Sequence, residues 1–271
     1  MDIETYLDSL PEDTEKIDVS NKGLTYLNVT KFKNLKILDC SVNQLTSLPP
    51  LQNLKELYCY NNQLTSLPPL QNLEILYCSN NQLTSLPPLE NLKELCCEYN
   101  KLSSLPPLEN LKVLFCNYNQ LTSLSPLQNL QTLFCSNNQL SYLHLNENLQ
   151  KIFCSNNQLS YLHLNENLKE LYCCNNQLTS LRLNEKLEII RHSNNPIYEI
   201  INSYNIPVIK QKLKILNNFR YLYYCLKFKK RFRDWLWIKI REPKIRERYS
   251  HDYLVANLHE DTDLDELLEN W

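Results

Sequence analysis

Nine asparagines, Asn43, Asn62, Asn81, Asn100, Asn119, Asn138, Asn157, Asn176 and Asn195, recur at a strict interval of 19 residues. A short fixed period with one polar residue in phase restricts a chain to a solenoid, in which each repeat is one coil stacked on the last. Leu54 to Asn72 reads LKELYCYNNQLTSLPPLQN, and Leu73 to Asn91 reads LEILYCSNNQLTSLPPLEN. The shared frame is L-x-x-L-x-C-x-x-N-x-L-x-x-L. Within it, L-x-C-x-x-N alternates at period two and predicts a short strand. Leu57 and Cys59 point inward, and Tyr58 between them points outward.

The asparagine has a physical task. A coil must turn after its strand, and the turning backbone is buried with unpaired N–H and C=O groups. An amide carries both a donor and an acceptor, so asparagines stacked in phase can bond the backbone of neighbouring coils as a ladder. Asparagine also tolerates turn conformations, which suits a chain whose one glycine is Gly23.

Nineteen residues leave no room for an α-helix on the return side of the coil. Pro49-Pro50, Pro68-Pro69, Pro87-Pro88 and Pro106-Pro107 favour an extended, polyproline-like return. Later coils replace it with S-P-L at 125–127, L-H-L-N-E-N at 143–148 and 162–167, and L-R-L-N-E-K at 181–186. The period survives each change.

This frame resembles the leucine-rich repeat family in its short form, with an S-L-P-P-L return, over roughly residues 17–200. Cysteine stands at the third inward place of the strand at 40, 59, 78, 97, 116, 135, 154 and 173, and His192 takes the ninth. The resemblance implies a right-handed curved solenoid with a parallel sheet on its concave face, a surface usually used to bind a protein. A degenerate first coil around Ile17-Asp18-Val19, with Lys22 at the asparagine place, brings the expected strands to ten. At about 4.8 Å per strand the sheet is about 45 Å long. Both ends of such a sheet need caps. The expected organisation is an N-terminal helical cap over 1–16, repeats over 17–203 and an α-helical C-terminal region over 204–271. The Asn-, Lys- and Tyr-rich style, with the runs WLWIKIREPKI (235–245), YLVANL (253–258) and DLDELLENW (263–271), also resembles repeat proteins of mimivirus-type giant viruses. That likeness implies origin, not mechanism.

The hydrophobic fraction of 43% suffices for a core, and no run of 18 apolar residues marks a membrane span. The opening MDIETYLDSLPEDTEK is acidic and carries no apolar signal region, so a cytoplasmic location is expected, a host cytosol if the origin is viral. The eleven cysteines do not read as a disulfide framework. Eight form the inward ladder, where neighbouring Cβ atoms about 4.8 Å apart exceed the usual span of a bridge. Cys96 and Cys174 are expected at the concave surface as free thiols.

The residues just before the eight inward cysteines and His192 face out of the sheet: Asp39, Tyr58, Tyr77, Cys96, Phe115, Phe134, Phe153, Tyr172 and Arg191. Most are aromatic, and Tyr60, Tyr99 and Tyr118 widen the stripe. An exposed apolar stripe marks an interaction site, and aromatics supply large contact area at low entropy cost. The same aromatics stacked across parallel strands also stabilise the sheet itself. Both readings stand at this point. Glu56, Glu94, Lys151 and Glu170, which flank the stripe, are mixed in sign and make no phosphate-binding groove.

After about residue 204 the composition changes. Over 207–241 apolar residues fall at helical spacing (Leu213, Leu216, Phe219, Tyr223, Leu226), which predicts one long helix or a kinked pair ending before Pro243. Shorter helices are expected at 251–259 and 263–270. Residues 210–248 hold fourteen Lys or Arg against three acids, and 252–271 hold seven acids and no Lys or Arg. The basic run, with Lys227, Lys229, Lys230, Arg231 and Arg233 at its centre, can bind nucleic acid or an anionic surface. It can also pair with the acidic run within the chain, leaving Trp235 and Trp237 to anchor this small domain to itself or to the last coil.

No arrangement for catalysis is legible. Some bacterial effectors join a short leucine-rich array to a ligase domain built on a Cys-x-Asp motif. About 67 residues follow position 204 here, and Cys225 sits in CLKFKK, so it reads as a buried helical cysteine. His144 and His163 occupy equivalent places on adjacent coils and are expected to stack, without a third metal ligand in phase. One glycine excludes the glycine-rich nucleotide loops. The sequence therefore reads as a non-enzymatic module that takes a protein partner and no cofactor. The alternative is nucleic-acid or anionic-surface binding through 210–248.

Overall fold

A computed structural model describes residues 3–236, 238–239 and 242–243. The chain divides into two compact units, 1–213 and 214–271. The first opens with helix α1 (Ile3–Ser9) and holds one parallel sheet. Its strands are β1 (Lys16–Asp18), β2 (Ile37–Asp39), β3 (Glu56–Tyr58), β4 (Ile75–Tyr77), β5 (Glu94–Cys96), β6 (Val113–Phe115), β7 (Thr132–Phe134), β8 (Lys151–Phe153), β9 (Glu170–Tyr172) and β10 (Ile189–Arg191). They pair strictly in chain order. Each residue sits opposite the one 19 places on from β2 to β10, as in Leu57↔Leu76 and Tyr58↔Tyr77. The degenerate first coil is present: Ile17 pairs with Leu38 and is fully buried.

Each strand is three residues long, with its central aliphatic residue buried and its flanks turned outward. The core is a set of parallel columns. Leu38, Leu57, Leu76, Leu95, Leu114, Leu133, Ile152, Leu171 and Ile190 make one, and Cys40 through Cys173 make the next. A column of identical side chains at strand spacing fills the interior with the same contact in every coil, so the repeat's stability is additive along the array.

The asparagine ladder is complete. In each coil from the third onward, Oδ1 accepts the leucine N–H of the preceding coil, as in Leu45 N–H to Asn62 Oδ1 at 2.9 Å and Leu178 N–H to Asn195 Oδ1 at 2.9 Å. Nδ2 donates to two cysteine carbonyls, Cys40 O at 3.0 Å and Cys59 O at 3.2 Å in the case of Asn62. Asn43 starts the ladder by accepting from Lys22 and Leu24. The expected turn tolerance falls one residue earlier than the ladder: the positive φ belongs to the preceding residue, such as Asn61 (53°) and Asn80 (55°).

The returns carry no helix among the described residues, as the Pro-Pro pairs require. A further row of amides ties them together. Asn53, Asn72, Asn91, Asn110, Asn129, Asn148 and Asn167 each donate to a carbonyl 20 residues earlier, at 2.9–3.0 Å. Where the proline return is lost, Asn146, Asn165 and Asn184 form a third row, with Asn165 and Asn184 each bonded to the carbonyl of the residue before it in that row.

Helix α2 (Pro196–Ile201) follows the last coil. Asn195 supplies its N-cap position in extended conformation (φ −127°, ψ 148°) and Pro196 starts the helix, while the Asn195 side chain stays in the ladder. Ile197 and Ile201 are buried, and the Ile197 N–H donates to Leu178 O at 2.9 Å. Asn202 ends α2 in the left-handed region with its N–H on Tyr198 O. Helix α3 (Ile206–Leu236) starts in the same unit, burying Ile209 and Leu213 and pairing Lys210 with Glu185 at 2.7 Å. Beyond Leu213 the helical stripe is not buried as a unit: Leu216 is half-buried and Phe219 is 66% exposed. The expected helices at 251–259 and 263–270, the acidic run and the Trp237 anchor lie outside the described residues, as do the side chains of Tyr223, Cys225, Leu226, Arg233 and Trp235.

Candidate functional site

Outward positions on three-residue strands stack at strand spacing, and the period places aromatic rings at most of them. Phe115, Phe134, Phe153 and Tyr172 form one column. Ring centroids lie 4.6, 4.2 and 4.3 Å apart, and interplanar angles are 14°, 7° and 11°. All four rings are half-buried, so each shows an edge to solvent. Tyr58 and Tyr77 meet edge-on at 5.2 Å. Cys96 interrupts the row between that pair and Phe115, so the expected stripe is two groups rather than one.

Carboxylates flank the tyrosine pair. The Tyr58 hydroxyl donates to Glu56 at 3.0 Å, and the Tyr77 hydroxyl donates to Glu94. Partial burial and the Glu56 carboxylate push the Tyr58 phenol up to about 12, and burial with Glu94 raises Tyr77 as well. Lys151 and Glu170 pair at 2.7 Å beside the phenylalanine column.

Tyr60 lies two residues along from Tyr58 and joins neither group. Tyr99 and Tyr118 take a place that sequence reasoning did not resolve. They occupy the left-handed turn position, at φ 53° and 55°, where seven other coils carry Asn (21, 61, 80, 137, 156, 175 and 194) and one carries Val42. A bulky residue there costs about 1 kcal/mol or more. Their rings stack at 4.3 Å and 10°, and are 49% and 46% exposed. The run of Asn before each ladder Asn was the signal that could have revealed this.

At the other end of the strands a polar groove of about 1020 Å³ runs along the coils, lined by Lys36, Lys55, Glu74, Lys93, Lys112 and the Asn53–Asn129 amide row. Sequence reasoning missed it. Its signal was the asparagine closing each repeat unit, such as Asn72 and Asn91. Its lysines are largely spent on Glu15 and Glu74.

The described cysteines are free thiols. The inward eight are buried, and burial raises every one of them, Cys40 and Cys154 to about 12. These are inert groups rather than nucleophiles. Cys96 and Cys174 are half-buried, as expected for surface thiols. His192 replaces the ninth ladder cysteine, is fully buried, and has no hydrogen-bond partner at either ring nitrogen. Tyr198 and Tyr204 pack edge-on against it at 5.2 and 6.0 Å. His144 and His163 each contact the tyrosine of their own coil, Tyr142 at 3.5 Å and Tyr161 at 3.1 Å. No cluster of three or more metal-ligating side chains occurs among the described residues. On α3, Lys227, Lys229, Lys230 and Arg231 are exposed. No described helix is long and apolar enough to cross a membrane.

Residues 33–72, 52–91, 71–110, 90–129 and 109–147 match the family model for leucine-rich repeats in two copies. No curated protein matches the chain. Among solved structures, YopM from Yersinia enterocolitica is 36% identical, with a TM-score of 0.66 over 69% of this chain and 44% of that one. YopM from Yersinia pestis, described as a leucine-rich effector protein, is 35% identical, with a TM-score of 0.61 over 70% and 56%. The functional domain of InlJ from Listeria monocytogenes, which includes a cysteine ladder, is 30% identical, with a TM-score of 0.67 over 74% and 48%. The chain thus spans about half the length of the solved proteins it matches. None of these findings supports the mimivirus-type resemblance. Repeat frame, parallel sheet and these matches converge: the coils of this chain are leucine-rich repeats.

Proposed function

We propose that this chain is a protein-interaction module that binds a partner through the aromatic face of its sheet and performs no chemistry of its own. The observation that carries the reading is the column Phe115–Phe134–Phe153–Tyr172, four parallel rings held in register with their edges in solvent. Rings already stacked have little freedom left to lose on binding, which favours contact area at low entropic cost. The polar rows, in contrast, are consumed: the ladder amides spend donors and acceptors on backbone. The likeness to structures described as an effector protein and as a functional domain supports the same class of role. A reducing, cytosolic setting suits the free thiols. A viral origin and a host target rest on residue style and on the run 235–271 alone.

The test is affinity purification from expressing cells with nuclease present, comparing wild type with Phe115→Ala/Phe134→Ala/Phe153→Ala, alongside a thermal melt of both. A protein captured by wild type and lost by a folded variant supports the reading. Equal capture by both sinks it.

A second reading has its own observation: Lys229, Lys230 and Arg231 are contiguous and exposed on α3. Nucleic-acid or anionic-surface binding there would weaken steeply between low and moderate salt and vanish on charge reversal of the three. Binding by the aromatic face would change little under either.

A further inference from the structure

Tyr99 and Tyr118 form a stacked, half-exposed pair at the one turn position where nearly every other coil places Asn. Asn is the residue that this backbone conformation accepts most readily among those with a side chain. Two adjacent coils give up that advantage and carry tyrosine instead. The stack is therefore not a consequence of the repeat, unlike the phenylalanine column.

The chemistry around the pair is anionic. Glu98 directly precedes Tyr99, and its carboxylate accepts from Asn117 Nδ2. Its backbone N–H is held by Ser79 Oγ at 3.2 Å, so the acid is positioned by both neighbouring coils. Desolvation, a hydrogen bond with Tyr118 and the Glu98 charge together raise the Tyr99 phenol. From β2 to β7, the outward strand residues and the two turn residues after each inward cysteine include Asp39, Glu56, Glu94 and Glu98, with no Lys, Arg or His. The lysines at the opposite end of these strands are held largely by Glu15 and Glu74. This half of the face is thus aromatic and net negative, which is complementary to cationic groups.

We propose that the Tyr99–Tyr118 stack, with Glu98 beside it, receives an arginine or lysine side chain from a basic segment of a partner protein. The outer ring faces of the stack offer the cation–π surface, Glu98 offers the charged acceptor, and Glu94 and Glu56 extend the same sign along the strand face. The proposal rests on the sheet-face reading above and names the partner's chemistry.

The test uses the full chain and a fluorescein-labelled peptide of alternating arginine and serine, with a glutamate-for-arginine peptide as control, read by fluorescence anisotropy at low ionic strength. The variants are Tyr99→Asn/Tyr118→Asn and Glu98→Gln. Asparagine is the residue of the sister coils, so the double variant is expected to keep or raise its melting temperature. The expected result is arginine-peptide binding by wild type, at least tenfold weaker in the tyrosine double variant and several-fold weaker in Glu98→Gln, with no binding of the glutamate peptide. Absence of arginine-peptide binding, or equal affinity in wild type and double variant, overturns the proposal. The latter is also what attraction to the acidic run 252–271 would produce. Self-association of the chain that the double variant removes, without peptide binding, assigns the stack to a second copy and likewise overturns it. Partner capture lost in the phenylalanine variant while peptide affinity ignores the tyrosines overturns this inference and leaves the sheet-face reading standing. Capture unchanged in the phenylalanine variant overturns that reading itself.

Discussion

The Leu102 N–H donates to Asn119 Oδ1 at 3.0 Å across 17 residues, while Asn119 Nδ2 reaches Cys97 O at 2.9 Å and Cys116 O at 3.3 Å. One amide thus serves a buried donor and two buried acceptors on two coils. Asn119→Ala leaves these buried groups without their protein partner. Each stranded group costs about 1–3 kcal/mol, so the loss should total about 3 kcal/mol or more. Asn119→Asp keeps the acceptor but turns a carboxylate toward two carbonyls, and is expected to do no better. Urea unfolding monitored by far-UV circular dichroism checks both, and a loss below about 1 kcal/mol would contradict the ladder's role.

Phe153 stacks on both sides, on Phe134 at 4.2 Å and Tyr172 at 4.3 Å. Phe115 stacks on one, because its other strand neighbour is Cys96. Each stacked pair is worth about 0.5–1 kcal/mol beyond area burial. Phe153→Ala should therefore destabilise more than Phe115→Ala, by about that amount. Equal losses in chemical denaturation would mean that stacking contributes nothing to the sheet and that the rings are there for contact alone.

Much of this fold is legible in the sequence. A period of 19 with Asn, Cys and Leu in phase determines which residues face inward, because strand alternation leaves no other register; hence Leu57, Cys59 and Asn62 fall where they are found. The column Phe115–Phe134–Phe153–Tyr172 follows from the same arithmetic. What escaped was conformational. The left-handed turn at Tyr99 and Tyr118 depends on a backbone sign that hydrophobic pattern does not encode, so two residues read as widening the stripe form a separate stack. The break at Cys96 was visible as a letter, but its consequence depends on ring reach, which is a distance. The amide row Asn53–Asn167 and the polar groove beside it depend on how the returns close, and an extended return has no strand or helix alternation to show which way its side chains face. Over 214–236 helical spacing was legible, but burial was not, since spacing shows which residues share a face and not what covers them.

The inward thiols predict an alkaline limit to stability. An unperturbed thiol here ionises near 9, whereas burial pushes Cys40 and Cys154 up to about 12 in the folded chain and raises the remaining ladder thiols well above 9. Above pH 9 the unfolded chain loses these protons and the folded chain keeps them. Stability is then full below pH 9 and falls as pH rises toward 12. The urea midpoint should drop between pH 8 and pH 9.5, where the unfolded chain's thiols ionise ahead of its tyrosines. In a folded chain at pH 8, a thiol reagent should label none of the eight ladder positions. Rapid stoichiometric labelling of the ladder would show that the core opens far more readily than this packing allows.

His192 sets the opposite limit. Its imidazole fills the ninth ladder place, fully buried, with no partner at either nitrogen. Desolvation lowers it from 6.5 to about 4. In the unfolded chain this histidine takes a proton as pH falls below 6.5, and in the folded chain it does not until about pH 4. The unfolded state then binds more protons, so stability is full above 6.5 and declines through the window down to 4. The carboxylates add their own acid sensitivity below about pH 5, so the diagnostic interval is 6.5 to 5, where histidine dominates. His192→Cys restores the residue of the other coils and removes the titrating group. It leaves space between Tyr198 and Tyr204, so its absolute stability should fall. Its stability should nevertheless be flat between pH 6.5 and 5, whereas wild type should slope. The comparison separates packing from charge, because a cavity shifts the whole curve and only a titrating group tilts it. Parallel curves for the two proteins would mean that His192 is hydrated or paired in solution and places no acid limit on the last coil.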